Sequence, residues 1–505
     1  MSRVTSFPLH LLWLGVALAA CSDHSDDIQP ESTYAARCAS PRSGIDPATN
    51  QAYPDVAGSV FDEELWIQSW TNDLYLWYRE VPNPDMKSFA TALDYFDVMK
   101  TSATTASGKP KDQFHFTYTT SDWEALSLSG VEASYGLTWA LLAKTPPREL
   151  VVAFVEPGSP AAAAGLDRGA EVQSIDGVDL VNGSDVDTLN NGISPANVGE
   201  THTFVVVDRG STTSRTVMLT SASITSVPVQ NVHTLPAPND KVGYLLFNDH
   251  IATAEKELAD AVAQLRAAQI TDLVLDIRYN GGGYLAIAAQ LAYMIAGPTP
   301  TIGKVFERES FNDKHQKTDP FDGQPLEPTP FIDQALDYGL PPAQQPPPGQ
   351  ALPHLDLPRV FVLTGSGTCS ASEAVMNGLA GVGVQVIQIG KTTCGKPYGF
   401  FPADNCGTTY FSIQFQGVND KGFGDYADGF SPGGVNKGCV VADDFAHALG
   451  DPAEARLAAA LTYRANQTCP PAPALATQGD AVIPKPLWRQ NRILRSRTNP
   501  SASTW

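Results

Sequence analysis

The chain is short of positive charge: 33 Lys and Arg stand against 54 Asp and Glu over 505 residues, a formal net charge of −21. No basic stripe offsets that balance, which argues against a nucleic-acid partner because a polyanion would be repelled. CxxC and HExxH spacings are both absent, so no metal site is expected, and no cofactor either. No G-x-S-x-G surrounds a serine near the strands described below. That lack weighs against a Ser-His-Asp hydrolase using His250 or His447. The apolar run near the N-terminus, residues 11–17, is too short to span a bilayer.

What is present is a chain with 43% hydrophobic residues, enough for two or three domains with real cores. Arg3, the apolar run and Leu18-Ala19-Ala20-Cys21 have the three-part layout of a secretory signal, placed at residues 1–20. The ending resembles a bacterial lipobox. That resemblance implies cleavage before Cys21, lipidation of its thiol and, with Ser22 following, an outer-membrane anchor facing the periplasm or the cell surface. Residues 21–59 are polar and acidic and read as a tether.

Setting Cys21 apart from the seven cysteines leaves Cys38, Cys369, Cys394, Cys406, Cys439 and Cys469. An even number in an exported chain suggests disulfides, with 15 pairings open. Cys394 with Cys406 is the expected bridge, because the segment between them reads as a hairpin. Cys369 is the thiol that could serve as an alternative nucleophile.

Residues 60–121 carry Leu65, Trp66, Trp70, Leu74, Trp77 and then Phe89, Leu93 and Phe96 at helical spacing around Pro82-Asn83-Pro84. They are expected to form a small N-terminal helical domain with these aromatics in its core. Residues 122–228 change to short strands and turns. From 229 to 466 strands alternate with amphipathic helices, the pattern of an α/β layer with its reactive loops at strand ends. Strands are expected at 242–247, 272–277, 360–364, 382–389 and 408–416, and helices at 252–268, 284–296, 371–380 and 454–464. A Pro-rich stretch at 306–358 is too long for a simple connection and reads as a lid, a substrate path or a surface excursion. The basic tail 467–505, with Arg489, Arg492, Arg495 and Arg497, reads as an unstructured end.

Within the α/β region Ser370 sits where the 360–364 strand hands over to a helix. Lys396 follows the next strand, so the two lie at neighbouring strand ends if those strands pair. A serine facing a lysine is a nucleophile with a base, provided that desolvation keeps the amine neutral. Tyr398, Phe400 and Phe401 supply apolar cover. Ser366 and Ser372 are weaker nucleophile candidates. The glycine turn Gly281-Gly282-Gly283 with Ala286 also fits a dinucleotide fingerprint, with Glu307 as its ribose acid.

Ser370-Ala371-Ser372-Glu373 followed by Gly395-Lys396, together with Asp276-Ile277-Arg278-Tyr279-Asn280-Gly281-Gly282-Gly283, resembles the carboxyl-terminal processing, or tail-specific, serine peptidases. The resemblance implies a crotonase-like α/β catalytic domain and an endopeptidase that acts near the C-termini of exported proteins. It implies Ser370 as nucleophile, Lys396 as base and Glu373 orienting the pair. The N–H groups of Ala371 and Gly282, with Gly281 next in choice, would form the oxyanion hole. Many members carry Gln four residues after the lysine, where this chain has Phe400. In the 122–228 region the order Tyr135-Gly136-Leu137-Thr138, Pro157-Gly158-Ser159 and Ile175-Asp176-Gly177 resembles a PDZ domain. Such a domain would take a peptide C-terminus near Tyr135, Gly136, Leu137 and Thr138 by strand addition, with Thr138 and Trp139 departing from the usual Gly-Leu-Gly-Phe. The implied partners are proteins or peptides with free C-termini, and the membrane through the lipid anchor. A non-catalytic binding protein on the same architecture is the alternative.

Overall fold

In the computed structural model the residues described are 28–47 and 50–471. The expected signal peptide, Cys21 and the arginine-rich tail lie outside them. No helix among the described residues is long and apolar enough to cross a membrane.

The centre is a six-stranded sheet whose spatial order follows the chain: β1 (Val229–Thr234), β2 (Val242–Phe247), β3 (Asp272–Asp276), β4 (Arg359–Thr364), β5 (Gln385–Gly390) and β6 (Lys437–Val440). β1 is antiparallel to β2 and every later pairing is parallel. Parallel strands need crossovers, and three are helices: α1 (Ala254–Ala267), α2 (Leu285–Ala296) and α3 (Ala371–Gly381). These three pack on one face with Leu245, Phe247, Leu273, Leu275, Val360 and Val362. The intervening residues Tyr244, Leu246, Val274, Phe361 and Leu363 point to the other face, against α4 (Ala455–Asn466). Burial of both faces is why the strands read as unbroken apolar runs.

Between the N-terminal part and this layer lies a β domain. Its main sheet orders Ser214–Thr220, Thr201–Val207, Glu171–Ile175, Glu149–Val155 and Leu137–Ala143, all antiparallel. The Leu137–Ala143 strand is therefore an edge. Val131–Ser134 pairs with Ala222–Thr225 where the chain enters and leaves the domain. The domain is tied to the central layer through Arg168, 2% exposed, whose guanidinium donates to Tyr279 Oη at 2.6 Å and to Asp443 Oδ1 at 2.8 Å.

The N-terminal helices Val60–Leu74 and Ala92–Val98 form as the aromatic spacing predicts. A capping box of Ser59 and Asp62 opens the first. Trp66, Trp70 and Phe96 pack together, but Tyr410 from the C-terminal half completes their core.

Three expectations are corrected. Residues 28–59 are no free tether: Cys38 is bonded to Cys406, Ala36 N donates to Asn405 Oδ1, and Arg37–Cys38 pairs with Val56–Ala57. The bridge binds this polar stretch to the body, which composition could not reveal. The expected single strand at 408–416 is two, Thr408–Phe411 and Phe415–Val418, in different sheets. Between them the Gln414 side chain bonds both backbone groups of Phe401, which turns the chain from one sheet to the other. The Pro-rich stretch is a packed cover rather than a surface excursion. Phe331, Ala335, Leu352 and Leu357 enter the main core, and Leu336 N–H donates to Glu255 of α1.

Candidate active site

β4 ends at Thr364, and the chain turns sharply before α3 begins at Ala371. Ser370 fills the last position of that turn at φ 55°, ψ −119°, a left-handed conformation that an L-residue holds only when its surroundings impose it. The surroundings do so from both sides. Cys369 N–H donates to Asn280 O at 3.2 Å and Ser372 Oγ to the same oxygen at 3.1 Å. Cys369 is also bonded to Cys394. Ser370 itself stays half-exposed, and the Ala371 N–H at the first turn of α3 has no acceptor within the helix.

Glu373, one turn into α3, is fully buried and surrounded by donors. Its Oε2 accepts the N–H of Ser370 at 3.0 Å and of Lys396 at 2.8 Å; its Oε1 accepts the N–H of Gly395 at 2.9 Å and Thr393 Oγ1 at 2.5 Å. One carboxylate thereby fixes the backbones of the predicted nucleophile and the predicted base to each other. Burial pushes its pKa up, and the bonds from Thr393, Lys396, Gly395 and Ser370 oppose that rise. Sequence reasoning placed Glu373 beside the pair but gave no sign that it acts through backbone N–H groups. Thr393 carried no signal at all.

Lys396 is buried, and its Nζ lies 3.7 Å from the centroid of the Phe400 ring and 5.1 Å from that of Phe114. Phe114 belongs to the N-terminal part, far from Lys396 in sequence, and no local pattern pointed to it.

The glycine turn after β3 packs against the serine turn. A Cβ on Gly282 would stand 2.8 Å from both Cys369 O and Ser370 Cβ, and its φ is +97°, so glycine is required there. Its N–H, however, donates to Asn280 Oδ1 at 2.9 Å instead of facing an open site. That oxygen also meets His250 Nδ1 at 2.9 Å. The expected oxyanion donor is thus adjacent to Ser370 but occupied in this state, by an Asx turn within its own loop.

Other expectations fall away. The bridges are Cys38–Cys406, Cys369–Cys394 and Cys439–Cys469, not Cys394–Cys406. The segment between Cys394 and Cys406 is no hairpin: Tyr398–Gly399 pairs with Phe415–Val418 and Ala403–Asn405 with Thr408–Phe411, a turn whose tip carries Cys406 to Cys38 while Cys394 stays beside Glu373. Cys369 carries no free thiol and is no nucleophile in this form. His250, fully buried with its pKa pushed down to about 3, faces Asn280, and His447 faces Asp444. Ser372 is buried on Asn280 O. Glu307 lies in the Val305–Phe311 strand of another sheet, packed against Gly417, and cannot serve a nucleotide at the glycine turn. Asp276 and Arg278 form a buried ion pair at 2.8 Å, with Glu454 also on Arg278 at 2.8 Å.

At the β domain, Tyr135 is a core residue whose Oη donates to Gly192 O at 3.0 Å, and Trp139 Nε1 donates to Ile193 O at 3.1 Å. Gly136 O accepts from Glu156 N and Ser159 Oγ. Leu137 and Thr138 start the edge strand, paired on one side with Val155 and Phe154.

Residues 241–401 match the sequence profile of peptidase family S41. This stretch is an S41 peptidase domain. It holds Gly282, Ser370, Glu373, Lys396 and Phe400. The chain is similar to the carboxyl-terminal-processing protease of Picosynechococcus sp. (strain PCC 7002), 27% identical over 278 residues, which are 54% of this chain and 56% of that protein. A second protease of that description, from Synechocystis sp. (strain PCC 6803), is 32% identical over 139 residues, 27% of this chain and 31% of its own. The chain thus spans just over half the length of one curated relative and under a third of the other. A Bacteroides fragilis protein assigned to the S41 proteases shares the fold, with a TM-score of 0.59 at 24% identity over 82% of this chain and 98% of that one. Phe114 and the β domain lie outside the S41 domain.

Proposed function

We propose that the chain is a serine endopeptidase that cleaves exported proteins or peptides near their C-termini, with Ser370 as nucleophile and Lys396 as general base. The observation that carries this reading is the Glu373 carboxylate, which holds the N–H groups of Ser370 and Lys396 on one oxygen. In the proposed cycle Ser370 Oγ attacks the scissile carbonyl carbon and its proton passes to a neutral Lys396 Nζ. The oxyanion is held by the Ala371 N–H and by a second N–H of the glycine turn. Gly282 serves as that donor once it leaves Asn280, and Gly281 is the alternative in the same turn. Collapse breaks the peptide C–N bond, Lys396 returns the proton to the leaving amine, and water then cleaves the acyl ester by the same steps in reverse.

The substrate end is proposed to add as a strand along Leu137–Ala143 of a PDZ-type domain, its carboxylate near Gly136. Support comes from the open edge of that sheet. The chain is proposed to lie in the cell envelope, lipid-anchored at Cys21 on the outer membrane, and three disulfides among the described residues support an oxidising compartment.

The test compares wild type, Ser370→Ala and Lys396→Met on a fluorogenic peptide with a free C-terminus and on its C-amidated twin. Both variants should lose on the order of 10³-fold or more in kcat, and the amidated peptide should be the poorer substrate of the wild type. Undiminished cleavage by Ser370→Ala would remove the serine from the mechanism.

A further inference from the structure

Glu373 fixes the backbone of Lys396, and the side chain beyond it has four torsions to restrain before the amine can meet a hydroxyl. Two rings stand at that end. Nζ lies 3.7 Å from the Phe400 centroid and 5.1 Å from that of Phe114, both within the reach at which a ring face attracts a cation. We propose that Phe400 and Phe114 form an aromatic platform that positions the Lys396 amine for proton transfer, and that Phe114 makes the N-terminal domain part of the catalytic site. This inference rests on the reading of Lys396 as the base.

The Phe400 ring is held by other rings, and Phe114 is held through its backbone and its neighbours. Phe400 meets Phe411 edge-on at 5.2 Å and Phe116 at 5.8 Å, and Phe116 itself stacks on Phe411 at 4.5 Å. Phe114 N–H donates to Asp112 Oδ1 at 2.8 Å, and Asp112 Oδ2 accepts the Tyr75 hydroxyl at 2.7 Å. The next residue, His115, stacks on Phe96 at 3.7 Å. The platform therefore rests on the aromatic core of the N-terminal helices on one side and on the catalytic half on the other. Cys38–Cys406 staples those two parts together six residues beyond Phe400.

Ring faces suit a base that must exist in two states. Their hydrocarbon surface gives the neutral amine a dry seat, while their quadrupole receives the ammonium formed when the serine proton arrives. Phe400 and Phe114 are assigned to act through the Lys396 amine, so they are positioning residues.

The test is saturation kinetics of active-site labelling by a fluorophosphonate, which reports the maximal rate kinact separately from the half-saturation concentration. Phe400→Leu keeps apolar cover but removes the ring; it should lower kinact on the order of 10–100-fold with half-saturation unchanged. Phe400→Tyr should restore the rate to within a factor of about 3, and Phe114→Leu should fall between. Thermal melting of each variant separates a folding defect from a positioning one, and Phe114→Leu carries the test alone if Phe400→Leu does not fold. Wild-type kinact in both leucine variants, beside an unreactive Lys396→Met, overturns the platform. Full labelling of Lys396→Met overturns instead the assignment of the base.

Discussion

A carboxylate that accepts four hydrogen bonds in a sealed site cannot be exchanged for its amide without loss. In Glu373→Gln one oxygen becomes an NH₂ group that must face either the N–H pair of Ser370 and Lys396 or the pair of Gly395 and Thr393. Donors then oppose donors. Urea unfolding should show a loss of about 2–4 kcal/mol, since each stranded buried group costs roughly 1–3 kcal/mol. Activity should fall by more than the stability loss explains, because the same oxygen aligns the proposed nucleophile and the proposed base. A Gln variant with wild-type kcat in its folded form would show that the alignment needs no carboxylate. The placement of Glu373 beside Ser370 was legible from its spacing in the Ser370-Ala371-Ser372-Glu373 motif. Its manner of action was not, because the partners are backbone groups whose approach depends on how β5 and its loop return to α3.

The element that most constrains the site is the loop pair joined by Cys369–Cys394. The bridge leaves Ser370 one residue beyond one sulfur and Lys396 two residues beyond the other, over a separation of 25 residues. In the chain-entropy account a loop of this size contributes about 3.5 kcal/mol. The larger consequence is local: the bridge, with Asn280, holds Ser370 in its left-handed conformation. Cys369→Ala/Cys394→Ala should remain folded yet lose most of its activity. A dithiol reductant, oxidised as the protein disulfide takes up two electrons and two protons, should depress the wild type toward the level of the double variant and leave that variant unmoved. Equal reductant sensitivity in both would assign the effect to another bridge. Elements buried on both faces, such as β2, were readable to the residue, because an apolar run of that length has no other stable use in an α/β layer. Disulfide partners were not, since the strands between Cys394 and Cys406 pair with segments beyond Cys406 and not with each other, which no local pattern shows.

For the molecule as a whole, buried titratable groups of opposite sense set how stability follows pH. Glu307, 5% exposed on the Val305–Phe311 strand, has its pKa pushed up to about 8 by burial, with Glu309 adding to the rise. Below the ordinary carboxyl value near 4.5 both folded and unfolded chains are protonated there. As pH rises past that value the unfolded chain releases the proton and the folded one keeps it, so stability declines until pH passes about 8. His250 runs the other way. Burial pushes its pKa to about 3 from 6.5, so its contribution is complete above 6.5 and is lost as pH falls toward 3. Melting temperature should therefore decline on both sides of a mildly acidic maximum. Glu307→Gln should remove one proton's share of the alkaline decline, about 1.4 kcal/mol per pH unit between pH 5 and 8. Parallel melting curves for wild type and Glu307→Gln across that interval would mean that Glu307 is ionised in the folded protein and that another group governs the alkaline limb.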